Sequence, residues 1–186
     1  VDMYMLGKPP RPFDLLYWNA DQTNIPGPVH RRYLKECYAE NQLAEGNYSV
    51  LGQKVDMGNI KIPVLLQASK DDHIVPYESV FRTAKRYGGD TTFVLSGSGH
   101  IAGVVNHPNA KKYQHWVNPG ELGTSANEWL KGSTEIGGSW WPTWWDWLKP
   151  KSGRKVKAVE PKDMGLGAAP GTYAKVRMAD IKLPPE

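Results

Sequence analysis

Cysteine is nearly absent from this chain. Its 186 residues contain one, Cys37, which excludes an internal disulfide framework and suits a reducing compartment. No apolar run reaches the roughly 18 residues that a membrane-spanning helix needs. The opening VDMYMLGKPP has neither an initiator Met nor a signal-peptide pattern, so the true N-terminus is expected upstream. No two histidines stand at HxxxH spacing, which leaves no ligand-spaced metal motif. Net positive charge is lacking in the body. From Lys149 onward nine basic residues face four acidic ones, against a net charge of +4 for the whole chain. The basic character therefore belongs to the tail, and nucleic acid is not an expected partner of the body.

What is present falls into segments. Residues 1–28 are rich in Pro and Gly around PFDLLYWNAD and read as irregular with a short helical piece; Pro26-Gly27-Pro28 then breaks the chain. The stretch from Val29 to Leu43 has helical spacing, with Val29, Tyr33 and Cys37 on one stripe. SVLGQKVDMGNI is too short and too Gly-punctuated for a helix. Ile60 to Ala68 is an apolar run suited to a strand buried on both faces, with Pro63 near its start. Pro76 opens a helix, YESVFRTAKRY, that Gly88-Gly89 closes. Thr91 to Gly99 is a second strand. This strand–helix–strand unit predicts two adjacent parallel strands in an α/β fold.

After Ala110 the chain reads as loops and helices, including a capping box from Ser125 to Glu128. SWWPTWWDWL holds five of the eight tryptophans. Trp141, Trp144, Trp145 and Leu148 share one face of a helix starting near Pro142, and core packing is the expected use of that face. From Lys149 the tail is poor in large apolar residues and is expected to be extended or partly disordered.

Chemistry in parallel sheets gathers beyond the carboxyl ends of the strands. SKDDHIVP follows the first strand and SGSGH ends the second, so Asp72 and His100 are expected side by side. A neutral imidazole accepts a proton at working pH. A carboxylate on its other nitrogen fixes the tautomer and stabilises the imidazolium. His73 as the base, and an Asp71–His73 metal site, are competing readings. Adjacency to the acid disfavours the first and the lack of a spaced partner the second.

PFDLLYWNADQTNIPGP, SKDDHIVP, FVLSGSGHIAGVVNHP and GSWWPTWWDWL, in that order, resemble the C-terminal portion of class I polyhydroxyalkanoate synthases. PGTYAKVR in the tail resembles the ending of that family. The resemblance implies the C-terminal part of an α/β-hydrolase fold: residues 1–55 as the end of a cap subdomain, 56–148 as the C-terminal half of the core, and 149–186 as a basic tail. It implies Asp72 as triad acid, His100 as triad histidine and His73 as an active-site neighbour. The family's nucleophile is a cysteine in a Gly-x-Cys-x-Gly elbow. Cys37, in LKECYAE, has no such setting, so no nucleophile is expected in this chain, and the chain alone is expected to be inactive.

By the same resemblance the activity is acyltransfer, polymerising (R)-3-hydroxyacyl-CoA into polyester with release of coenzyme A. The thioester is substrate, and no metal or other cofactor is implied. Partners would be the growing polyester, a second copy through the cap, and a cytoplasmic granule surface touched by the Trp face or the basic tail. Two rival readings stand beside it: a non-catalytic granule- or partner-binding module, and half of an ordinary α/β-hydrolase.

Overall fold

The structure is a computed structural model that describes residues 5–8, 18–19, 22–177 and 180. Of the expected PFDLLYWNAD element, all but Trp18 and Asn19 lie outside the described residues. The chain divides into two units, Val1–Trp144 and Trp145–Glu186.

In the first unit, α1 (Gly27–Tyr33) runs into a π-helical stretch, Leu34–Ala39. Pro28 suits the first turn, where its missing N–H costs nothing. The expected single helix to Leu43 thus changes pitch and stops early, at Ala39. Its Val29 and Tyr33 stripe is exposed rather than packed. A short hairpin follows, β1 (Ser49–Val50) against β2 (Gln53–Lys54). Leu51 and Gly52 turn it with positive φ.

The main sheet is mixed, in the order β3 (Val64–Ser69), β4 (Thr91–Ser96), β5 (Gln114–Val117), β6 (Thr134–Gly137). The first two strands are parallel, with Val64 opposite Thr91 and Ser69 opposite Ser96. The other two pairings are antiparallel. Strands β5 and β6 replace the loops and helices expected after Ala110. Each has four residues, too few for the sequence to declare a period; their pairing to β4 and to each other makes them strands. With its helices the sheet gives an α/β architecture, as expected.

Because side chains alternate along a strand, the register sorts the sheet into two faces. Leu66, Ala68, Phe93, Leu95 and Trp116 belong to one core with Phe81 and Ala84 of α2 (Tyr77–Ala84) and with Ala126 and Trp129 of α3 (Ala126–Lys131). The ring of Phe93 meets Phe81 edge-on at 5.3 Å and Trp129 at 4.9 Å, an arrangement worth about 0.5–1.5 kcal/mol per pair beyond area burial. The opposite register mixes fully buried Val94 and half-buried Leu65 with satisfied polar groups: Gln67 donates to the hydroxyls of Ser69 and Ser96. The strand is therefore at least half-buried on both faces, as expected, with one of them partly polar.

Helix α2 ends at Ala84, short of the glycine pair. Those glycines serve close packing. A Cβ on Gly88 would strike the Gly58 carbonyl, and one on Gly89 would sit 2.6 Å from the carbonyls of Lys61 and Ile62. Ser125 caps α3, accepting from the Glu128 N–H at 3.2 Å as the capping box predicts.

Helix α4 (Trp141–Leu148) crosses the boundary between the units. Its Trp144 and Trp145 are 39% and 54% exposed, while Trp141 and Leu148 are half-buried, so the face expected to pack into the core is only partly covered. Among the described residues the second unit otherwise includes the short 3-10 turns Lys149–Lys151, Pro161–Met164 and Tyr173–Lys175. No described helix is long and apolar enough to cross a membrane.

Candidate active site

Two strand tips are stitched together past the end of the sheet. Beyond β3, the Lys70 N–H donates to the Ser96 carbonyl at 2.8 Å and the Asp71 N–H to the Ser98 carbonyl at 3.0 Å. Beyond β4, the Gly97 N–H donates to Gln114 at 2.7 Å. Ser98 has a φ of 76°, a left-handed conformation unusual for a residue with a side chain. Next, Gly103 donates to the Gly99 carbonyl at 2.9 Å and Val105 to that of Ile101 at 2.8 Å, so His100 rides on a compact turn. That turn lies on β3: a Cβ on Gly103 would overlap the Ser69 hydroxyl and come within 2.6 Å of the Ser69 Cβ. Only glycine fits there.

This geometry brings Asp72 and His100 together. His100 Nδ1 lies 2.8 Å from Asp72 Oδ2. The other oxygen, Oδ1, accepts the backbone N–H groups of Ile74 and Val75, each at 2.9 Å. The Val75 amide is the leading cause that pushes the Asp72 carboxyl down to about 2; the His100 and Ile74 bonds add to it, and desolvation opposes it. The carboxylate is therefore ionised and fixed at both oxygens. Its side chain is only 8% exposed, whereas that of His100 is 45% exposed. With Nδ1–H donated to Asp72, the lone pair on Nε2 is left to accept a proton from a reacting group.

His73 follows Asp72 directly, is exposed and takes no part in the Asp72–His100 bond. Cys37 is half-buried on the π-helical stretch, beside Arg32 and Tyr33. Among the described residues no group of three His, Cys, Asp or Glu side chains is placed to hold a metal ion. A shallow depression of about 460 Å³, lined by Lys111, Tyr113, Ser139 and Pro142 among others, does not include the dyad.

The sequence did not disclose the two amides that hold Asp72, because donors on the backbone leave no side-chain signature. Nor did it single out His115. That imidazole is buried in β5, its Nδ1 3.2 Å from the Gly138 carbonyl and its Nε2 2.8 Å from the Thr143 hydroxyl. Burial lowers its pKa, partly offset by the Gly138 bond.

No family model matches the chain. Over 180 residues it is 46% identical to the poly(3-hydroxyalkanoate) polymerase subunit PhaC of Rhizobium meliloti (strain 1021), covering 95% of this chain and 29% of that protein. The subunit PhaC of Cupriavidus necator is 41% identical over 184 residues, covering 95% of this chain and 31% of the relative. The poly(3-hydroxyalkanoate) polymerase of Methylorubrum extorquens is 41% identical over 183 residues, with 95% and 30% covered. The chain thus spans about three-tenths of the length of these relatives. Identity of 41–46% sustained across nearly all of its residues places this chain in the poly(3-hydroxyalkanoate) polymerase family.

Proposed function

We propose that this chain supplies the acid and the histidine of a Cys-His-Asp triad in a polyhydroxyalkanoate synthase of class I. The parent would have an α/β-hydrolase core, of which β3, α2 and β4 carry the site. The observation behind the reading is the 2.8 Å contact between Asp72 and His100, with the carboxylate enclosed and the imidazole open. The thiol would come from a cysteine outside this chain, since Cys37 shares no contact with the dyad.

The chemistry follows from the tautomer. His100 Nε2 takes the thiol proton, and the thiolate attacks the thioester carbonyl of an (R)-3-hydroxyacyl-CoA. The carbon–sulfur bond to coenzyme A breaks, and the imidazolium returns its proton to the leaving thiolate. The acyl group, still a thioester, keeps its activation. His100 next takes the proton of a chain-end hydroxyl, whose oxygen attacks the acyl carbonyl. An ester bond forms as the cysteine thiolate leaves and takes the proton back from the imidazolium, and the polymer grows by one unit. No metal or redox group enters any step. Work at a cytoplasmic granule and self-association through the cap belong to the same reading.

The test is 3-hydroxybutyryl-CoA turnover by the isolated chain and by the chain joined to its N-terminal remainder. The proposal requires activity only in the joined form and its loss with His100→Ala. Turnover by the isolated chain that Cys37→Ala abolishes would overturn it.

The exposed Trp144 and Trp145 favour a second reading, a polymer- or partner-binding module. Granule binding that survives His100→Ala and fails with Trp144→Ala plus Trp145→Ala would support it. Half of an ordinary hydrolase, with water as acceptor, predicts free hydroxy acid in place of polymer.

A further inference from the structure

The turn that carries His100 is held from a distant part of the chain. The carbonyl of Val104 accepts two indole N–H groups, from Trp140 at 3.1 Å and from Trp141 at 2.9 Å. A carbonyl oxygen has two lone pairs, and here each has a donor. Those donors lie 36 and 37 residues away in sequence, so this link is tertiary. Val104 belongs to the turn that starts at His100, because its own N–H donates to the Ile101 carbonyl at 3.1 Å.

The donors are themselves anchored. The Trp141 backbone N–H donates to the hydroxyl of the buried Ser139 at 3.1 Å. Thr143, in the first turn of α4, is 2.8 Å from the imidazole of the buried His115 on β5. The Trp141 ring also meets His107 edge-on at 5.8 Å. At the far end of the segment, buried Asn106 donates to the Lys112 carbonyl at 2.9 Å. A rigid route therefore runs from the sheet through the start of α4 to the Val104 carbonyl and on to His100.

We propose that Trp140 and Trp141 are positioning residues for His100, their paired indole N–H groups on the Val104 carbonyl holding its turn so that the imidazole stays against Asp72. Packing alone would need only the rings. Two donors converging on one acceptor define where the turn sits, and His100, 45% exposed, is poorly confined by its own surroundings. The kinetic side of this inference rests on the proposed function; the structural side does not.

The test uses the full-length protein that contains this chain, with Trp140→Phe, Trp141→Phe and the double variant. Phenylalanine keeps an aromatic ring and removes the N–H. The readouts are kcat and KM with 3-hydroxybutyryl-CoA, and solvent exchange of the His100 Nδ1 proton by NMR on 15N-histidine-labelled protein. The double variant is expected to lose roughly 10-fold or more in kcat, since small misplacements of a catalytic group cost up to about 100-fold, with KM little changed and faster Nδ1 exchange. Each single variant leaves one donor and shows a smaller change of the same kind, which keeps the test available should the double variant not fold. Trp147→Phe, on the same helix with its ring against the Lys151 ammonium rather than against Trp140 or Trp141, is the control expected to leave both readouts unchanged. Unchanged exchange at His100 overturns the proposal, whether or not kcat falls. Should His100→Ala prove fully active, the proposed function fails, and Nδ1 exchange alone still decides the positioning role.

Discussion

Replacing Asp72 by Asn separates what the carboxylate does for the fold from what it does for the imidazole. Asparagine keeps one oxygen for the Ile74 and Val75 N–H groups, which Asp72 accepts at 2.9 Å each. The turn therefore retains both of its bonds, to a neutral acceptor instead of a charged one. At the position of Oδ2, 2.8 Å from His100 Nδ1, the amide presents N–H groups. A donor there makes Nδ1 accept, which moves the ring proton to Nε2 and removes the base. The negative charge that would stabilise the imidazolium is lost as well. General acid–base catalysis contributes about 10²–10⁴-fold, and a wrong tautomer forfeits most of it. Asp72→Asn in the full-length protein should thus lower kcat by roughly 10³-fold or more, with KM for the thioester changing far less. Coenzyme A release, followed with a thiol reagent, measures both, and circular dichroism checks the fold. A folded variant whose kcat stays within about threefold of wild type, a barrier change well under 1.4 kcal/mol, would refute the assignment of base and orienting acid.

Other outcomes follow from the same geometry. The Asp72 carboxyl should titrate near 2 by carbon-13 NMR; its contribution to stability is intact above the ordinary value of 3.8 and drains away as pH falls towards 2, so a midpoint near 4 would contradict the two-amide clamp. Burial holds the His115 imidazole neutral in the fold, so the unfolded chain protonates first; stability should fall as pH drops below 6.5, and His115→Gln should flatten that part of the urea-midpoint profile. Gly103→Ala should destabilise by about 1–3 kcal/mol through overpacking against Ser69, read from denaturant midpoints, and should lower kcat by shifting the His100 turn. Phe81→Ala, which empties the centre of the Phe81–Phe93–Trp129 cluster, should cost about 3–5 kcal/mol without selectively altering the dyad.

The part of the fold that bears the dyad was legible because local and global signals agree there. Two apolar runs, a Pro-opened helix and a Gly-Gly stop describe one crossover unit, and parallel pairing then puts Asp72 and His100 at neighbouring tips. The antiparallel strands were not legible. QHWV and TEIG are short, the second is exposed along its length, and only pairing defines them. Periodicity also misled at two helices. The Val29 and Tyr33 stripe and the Trp144 and Trp145 face both repeat as amphipathic helices should, yet they are exposed; a period reports that a face is apolar, and not what covers it. At the site, the residue types at Asp72 and His100 were readable from their setting after strands. The clamps around them were not, because the acceptor at Val104 and the donors at Ile74 and Val75 are main-chain groups.

Rapid-quench measurement of the first thioester cleavage by the full-length protein, with wild-type His100 and with His100→Ala, bears most directly on the role assigned to the dyad. A burst of coenzyme A release is expected in the wild type and its disappearance in the variant, with the Asp72 turn still folded. A burst of equal rate and size in His100→Ala would contradict that role.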